Sequence, residues 1–312
     1  MTFLSDFQFH GDHVIAKHSG TRIPLNRESL TDAARAAGFV CEVQALCATR
    51  LARGVRPAAR IAFHPQRPRS YYAIWPVCRL ANVKIVDDPA DADLLFQFKD
   101  RPTVEDAPDL AGLDKPVLNG ACTDIRKSRV ASVFEEIFGY PLRIDPATYE
   151  GLAVQKSEGN GVHDGQIVAC PLDAPEPGQV YQRLIQNTVD GREFIDIRTP
   201  IVGGRIPLVY LKCRTARERF SNNNHRVVLR EADEMYSSQE LETLQAFANA
   251  MGLDFGGLDV LRHKDDGRIY VVDVNKTDMG PPTALPNTDK MSAMRRLAAA
   301  FSEVVAERLR SH

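Results

Sequence analysis

Runs of apolar residues, alternating runs and helical spacings divide this chain into a legible series of elements. A polar, strand-like start gives way to an alanine-rich helical segment over residues 29–53. A short apolar strand at 60–64 precedes a helix predicted over 70–81, and further apolar runs follow at 84–86, 93–98 and 115–118. Short apolar runs separated by longer connections predict a largely parallel sheet, because parallel strands are buried on both faces and need crossovers.

From residue 124 the pattern changes. Residues 127–138 have amphipathic helical spacing, stopped by Gly139 and Pro141. A strand at 151–156 enters a glycine-bearing loop over 157–165, and a second strand leaves it at 166–170. A proline-rich loop over 171–178 is followed by strands predicted at 180–185, 192–202 and 205–212. Ser237 or Ser238 can cap a helix that runs to Met251 and ends at Gly252. A pair of apolar strands, 256–262 and 268–275, comes next, and a helix over 291–310 closes the chain. No internal repeat is evident.

The strand pair carries the sharpest chemical signal. Asp259, Asp273 and Asn275 lie inside otherwise apolar runs, where charge is rarely placed unless it is paired or holds a metal. Between the runs, His263-Lys264-Asp265-Asp266-Gly267 is turn material, and Asp-Gly marks a hairpin. A three-residue loop, with Gly267 left-handed, sets Asp259 opposite Asp273 and Gly257 opposite Asn275. A two-residue turn at Asp266-Gly267 would slip the register and turn Asp259 away. Opposed like charges repel, and a divalent cation would cancel the cost. Mg²⁺ takes such oxygen ligands together with nucleotide phosphates. The plainer alternative is a hairpin with solvated acids on its outer face.

Composition narrows the class. At 312 residues the chain exceeds one typical domain, and 44% hydrophobic with 26% charged residues suits a soluble globular protein. A formal charge of −2 gives no bulk attraction to nucleic acid or anionic membrane. The N-terminus has no secretory pattern and no apolar run approaches a membrane span, so a soluble cytoplasmic protein is expected. The six cysteines show no CxxC spacing and read as reduced thiols.

Other candidates are weaker singly. Lys156 precedes the glycine loop, whose backbone N–H groups can cradle phosphate, although the loop does not match GxxxxGK[ST]. Lys127 opens a helix and by itself reads as a surface lysine. Arg198 shares a strand face with Asp196. The segment from Arg214 to Arg226, including Arg217, Arg219 and Asn224, is rich in groups suited to phosphate or carboxylate, or is simply a solvated loop. No catalytic triad can be argued from spacing.

In order along the chain, these features resemble the ATP-grasp superfamily, in particular the branch of ribosomal-protein glutamate ligases and glutathione synthetases. The features are Lys127, Lys156 before a glycine loop, Tyr181-Gln182-Arg183-Leu184-Ile185, Asp196-Ile197-Arg198, the arginine/asparagine segment, Gly256-Gly257-Leu258-Asp259-Val260-Leu261 and Val271-Val272-Asp273-Val274-Asn275. The likeness spans about residues 119–280. It implies an α/β protein (α+β lobes) of ATP-grasp fold with an N-terminal parallel-sheet domain. The divisions are an extension at 1–56, the α/β domain at 57–123, a middle lid lobe at 124–186 and a C-terminal lobe at 187–312.

The resemblance also implies roles. Lys127 and Lys156 contact the nucleotide, and Gln182, Arg183, Leu184 and Ile185 form the hinge along the adenine edge. Asp259, Asp273 and Asn275 hold Mg²⁺, for which Mn²⁺ can substitute. Arg214, or else Arg217 or Arg219, lies near the transferred phosphate, with Lys156 also catalytic. Arg198, Asn224 and Arg226 fall where relatives hold nucleotide or acceptor. The implied activity is an ATP-dependent carboxylate–amine or carboxylate–thiol ligase working through an acylphosphate. An ATP-grasp kinase and a non-catalytic nucleotide-binding module are the alternatives. The substrate is expected to be an anionic small molecule or peptide, with neither nucleic acid nor membrane as partner. The C-terminal helix can serve a homodimer interface as readily as a core. Several residues depart from the family pattern: Asp273 replaces a usual glutamate, Arg183 an often acidic residue, and Lys276 to Pro281 the usual small-residue-Pro-Gly ending.

Overall fold

The computed structural model describes residues 7–17, 22–104, 110–159, 164–188, 190–216 and 224–312. Arg217, Arg219 and part of the glycine loop lie outside them.

A small antiparallel meander comes first, with β1 (Phe7–Phe9), β2 (His13–Ala16) and β3 (Arg22–Pro24) in that order. Helix α1 (Arg27–Ala52) begins at a capping box, in which Asn26 accepts from the Ser29 N–H and Ser29 Oγ accepts from the Asn26 N–H. The parallel layer consists of β4 (Ala59–Pro65), α2 (Ile74–Leu80), β5 (Val83–Val86), β6 (Leu94–Phe98) and β7 (Val117–Leu118). Its strand order is β5-β4-β6-β7, parallel throughout. Every residue of β6 is buried, as its continuous apolar run predicts.

Helix α2 is shorter than the spacing predicts. Its first turn is unwound because Tyr71 O accepts from the Gly280 N–H and the Ala73 N–H donates to Asp278 O, while Tyr72 bridges Met279. Backbone groups the helix would have used are committed to a distant loop.

Helix α3 (Lys127–Phe138) stops at Gly139, whose φ of 75° is the left-handed conformation that glycine adopts without penalty. A second antiparallel sheet contains β8 (Gly151–Ser157), β9 (Gln166–Cys170) and β10 (Gln179–Arg183), in the order β10-β8-β9. The remaining strands are β11 (Glu193–Val202), β12 (Val209–Thr215), β13 (Arg226–Arg230), β14 (Phe255–Arg262) and β15 (Ile269–Asn275). They form an antiparallel sheet ordered β13-β12-β11-β14-β15. Strand β13 is an element that the sequence pattern does not predict; only its first residue, Arg226, belongs to the arginine/asparagine segment. Helix α4 (Ala232–Met235) and α5 (Ser238–Ala250), the latter started by a Ser237–Glu240 capping box, precede β14. Helix α6 (Asn287–Arg310) ends the chain.

The five-stranded sheet has two unlike faces. Ile197, Leu258, Val260 and Val274 pack with Val130 and Phe134 of α3 and Leu244 and Phe247 of α5 in one apolar core. A second core joins the parallel sheet to α1, α2 and α6 and reaches Val202 and Phe255. The opposite face of β11, β12, β14 and β15 carries the charge. All six cysteines are free, and no helix among the described residues is long and apolar enough to cross a membrane.

Candidate active site

The β14–β15 hairpin sets Asp259 opposite Asp273 and Gly257 opposite Asn275, the pairing anticipated from the sequence. The route to it differs from the expected three-residue turn. Arg262 pairs with Ile269, and the His263 N–H donates to Arg268 O, which leaves four residues, 264–267, in the loop. On its own that register would misalign the carboxylates. A shift between Asp259 and Val260 corrects it, because Val260 pairs with Val271 and Val272 is the extra residue. Such a bulge re-aims side chains locally. Here it restores the opposition of the acids and places Val272 against the cleft, where its carbonyl accepts from Lys156 Nζ at 3.3 Å.

The cleft encloses about 960 Å³, counting its solvent-open mouth. One wall is the β10-β8-β9 sheet and the connection after it, with Val154, Lys156, Gln182, Arg183, Leu184 and Ile185. Asp196, Arg214, Asp259, Leu261 and Asp273 form the floor. Lys127 enters from the first turn of α3, and its Nζ donates to the Gly159 carbonyl. Beside it, Glu158 accepts from the Ser128 N–H at 3.0 Å, so the glycine loop rests on the helix N-terminus. Gln182 is only 2% exposed, and its Nε2 has no hydrogen-bond partner among the described residues. A buried donor left unpaired is costly, and such exceptions concentrate at functional sites.

The two facing carboxylates are unequal. Arg198 Nη1 lies 2.7 Å from Asp259 Oδ2, Asn275 Nδ2 donates to the same oxygen at 3.3 Å, and Lys212 Nζ donates to Oδ1 at 3.4 Å. Burial pushes Asp259 up, yet Arg198, Lys212 and Arg214 outweigh it and hold the carboxyl well below the usual range. Asp273 accepts only the Val274 N–H, at 3.0 Å, among the described residues. Burial raises its pKa despite Lys127 and Lys156, and Asp259 adds to the rise. Burial also lowers Lys156, to about 8, with Asp273 pulling the other way.

Several sequence candidates are placed elsewhere. Arg198 lies beneath the cleft rather than lining it, with Nη2 donating to Asp278 Oδ1 at 2.6 Å. Gly257 makes room for this bridge: a Cβ there would lie 2.6 Å from Asp278 Oδ2 and 3.0 Å from Arg198 Nε. Arg226 is exposed on edge strand β13 and pairs with Glu193 at 3.0 Å. Asn224 also stands outside the lining. Arg214 lines the cleft while ion-paired to Asp196, which also accepts from Asn187 Nδ2 at 2.8 Å.

The sequence reading passed over Lys212 and Asp278. Lys212 could have been found, since it alternates with Tyr210 and Arg214 along one face of a strand. Asp278 gave no local signal; its partner is 80 residues away.

No family model matches this chain, and no curated protein matches it. Among solved structures it is similar to the ATP-grasp ligase PsnB complexed with minimal precursor, Mg and ADP. Identity is 13%, with 77% of this chain and 96% of that one covered at a TM-score of 0.49. It is also similar to D-alanine–D-alanine ligase from Bacillus anthracis, at 12% identity, 81% and 99% coverage and a TM-score of 0.48. Macrocyclase MdnC from Microcystis aeruginosa MRC, bound with precursor peptide MdnA, gives 10% identity, 80% and 99% coverage and 0.46.

Proposed function

We propose that the chain is an ATP-grasp ligase that binds Mg-ATP in this cleft and joins a carboxylate to an amine or thiol. The observation that carries the reading is convergence. Lys127 from α3, Lys156 from β8, Gln182 from β10 and the Asp259–Asp273 pair from β14 and β15 line one cleft, although they span residues 127–273.

The donor set fits the ligand. Asp273 and Asp259 line the cleft and offer the hard oxygens that Mg²⁺ prefers, and Asn275 stands outside the lining against Asp259. Two lysines stand where a polyphosphate needs cations. The unpaired Gln182 Nε2 offers a donor to an acceptor on the base. A bound divalent cation would supply charge neutralisation at the phosphates. Lys127 and Lys156 would orient those phosphates, and Arg214 would face the charge that develops as a phosphoryl group moves to the substrate carboxylate, giving an acylphosphate. The β8–β9 loop, resting on α3, would keep water from that group. The carboxylate substrate is read as an anionic small molecule or peptide.

Thermal shift with ATP, with and without Mg²⁺, tests the site. A Mg-dependent rise in Tm that Asp273→Ala removes is expected; a rise that survives the substitution would sink the metal assignment. Phosphate release that requires acid and amine or thiol together then separates ligase from kinase, which leaves a stable phosphorylated product. One observation favours a second reading as a non-catalytic nucleotide-binding module. Asp259 is already neutralised by Arg198 and Lys212. Mg-dependent ATP binding without turnover over a broad set of acids, amines and thiols would select it.

A further inference from the structure

Lys212 is paired with an unexpected acid. The β11–β12 register sets Asp196 directly across from it, the natural cross-strand partner. That carboxylate is taken by Arg214 and Asn187, and Lys212 instead reaches past β11 to Asp259 Oδ1 on β14. Its side chain is 14% exposed, and among the described residues Asp259 is its ion-pair partner. A buried ammonium is tolerated where an anion compensates it, so Lys212 depends on a carboxylate proposed to bind a cation. Arg198 is anchored differently, because Asp278 holds its other nitrogen and would keep it paired if Asp259 turned to a metal.

We propose that Lys212 is a positioning residue for the cation site, a resident counter-ion on Asp259 that a divalent cation must displace. The assignment rests on the reading of this cleft as a cation–nucleotide site and goes beyond it. Lys212 lowers the affinity of the empty cleft for free divalent cation, because the incoming ion meets a carboxylate already neutralised on both oxygens. Once displaced, the ammonium needs a new anion, and the phosphates of a nucleotide arriving with the cation supply one. Cation binding is thereby coupled to nucleotide binding. Asp273, with no side-chain donor on it among the described residues, is where the cation first lands.

Mn²⁺ binding to the full chain, followed by electron paramagnetic resonance, tests this with and without ADP. Wild type is expected to bind Mn²⁺ weakly alone and more tightly with ADP. Lys212→Met should tighten binding without ADP by about tenfold or more and shrink the gain from ADP. Lys212→Arg, which keeps the charge, should restore the wild-type pattern. A purely structural role for Lys212 would lower Tm in Lys212→Met and leave Mn²⁺ affinity unchanged, which overturns the proposal. Lys212→Gln serves as the second variant should the methionine form fail to fold. If wild type binds no Mn²⁺ even with ADP, the cation-site reading fails and this inference with it. If wild type binds Mn²⁺ with ADP and Asp273→Ala abolishes it while Lys212→Met changes nothing, only the inference falls.

Discussion

The parallel sheet and the five-stranded antiparallel sheet use similar strands for opposite ends. In the first, Ile61, Leu94, Leu95 and Phe96 are fully buried, with core on both faces of the layer. In the second, each strand gives one face to the core and the other to charge, with Arg198, Lys212, Asp259 and Asp273 spread over four strands. The first layer gains stability from area removed from water. The second holds charges at a desolvation cost that is offset only where a partner is in place, and Asp273 has no ion pair among the described residues. Both layers bury apolar surface, and the unsatisfied electrostatics lie on one face of the second.

That contrast can be broken most severely from the parallel side. Phe96→Ala should cost about 3–5 kcal/mol in chemical denaturation, from lost burial plus a cavity. Arg198→Met should cost about 3 kcal/mol or more by the same measurement, because it takes the guanidinium from buried Asp278 and leaves Asp259 with Lys212 and Asn275 alone. A loss below about 1 kcal/mol there would mean that the two acids find other partners.

The smallest effect has the opposite sign. Asp273 has a raised pKa in the fold, so the folded chain keeps a proton that the unfolded chain, at the ordinary 3.8, has already released. Between those two values stability falls as pH rises. Asp273→Asn removes that penalty. In EDTA the variant should gain on wild type as pH climbs through the window and remain the more stable at neutral pH. Urea midpoints across a pH series would show it, and a variant less stable than wild type at neutral pH would contradict the burial argument.

Local chemistry made most of this legible. Buried strands such as β6, the capping box at Ser237, the glycine stop at Gly139 and the shared face of Asp273 and Asn275 all follow from nearest neighbours and strand period. Features set by tertiary context were not. The unwound start of α2 depends on the loop from Asp278 to Gly280, and strand β13 on an edge of β12 to pair with. The hairpin reached its anticipated pairing through a bulge at Val272 that no local signal announces. The partners of Arg198 and Lys212 likewise depend on which strands lie side by side.

The contacts that shorten α2 also brace the floor of the cleft. Beyond Asn275 the chain is stapled to the parallel layer by the Tyr71 and Ala73 backbone bonds, and Asp100 accepts from both Tyr72 and Thr277, at 2.6 and 2.7 Å. The floor of the cleft and the parallel layer therefore form one anvil. The β10-β8-β9 sheet faces that floor across the cleft and touches it where Lys156 Nζ donates to the Val272 carbonyl. Any substrate would meet a surface whose geometry is fixed before it arrives.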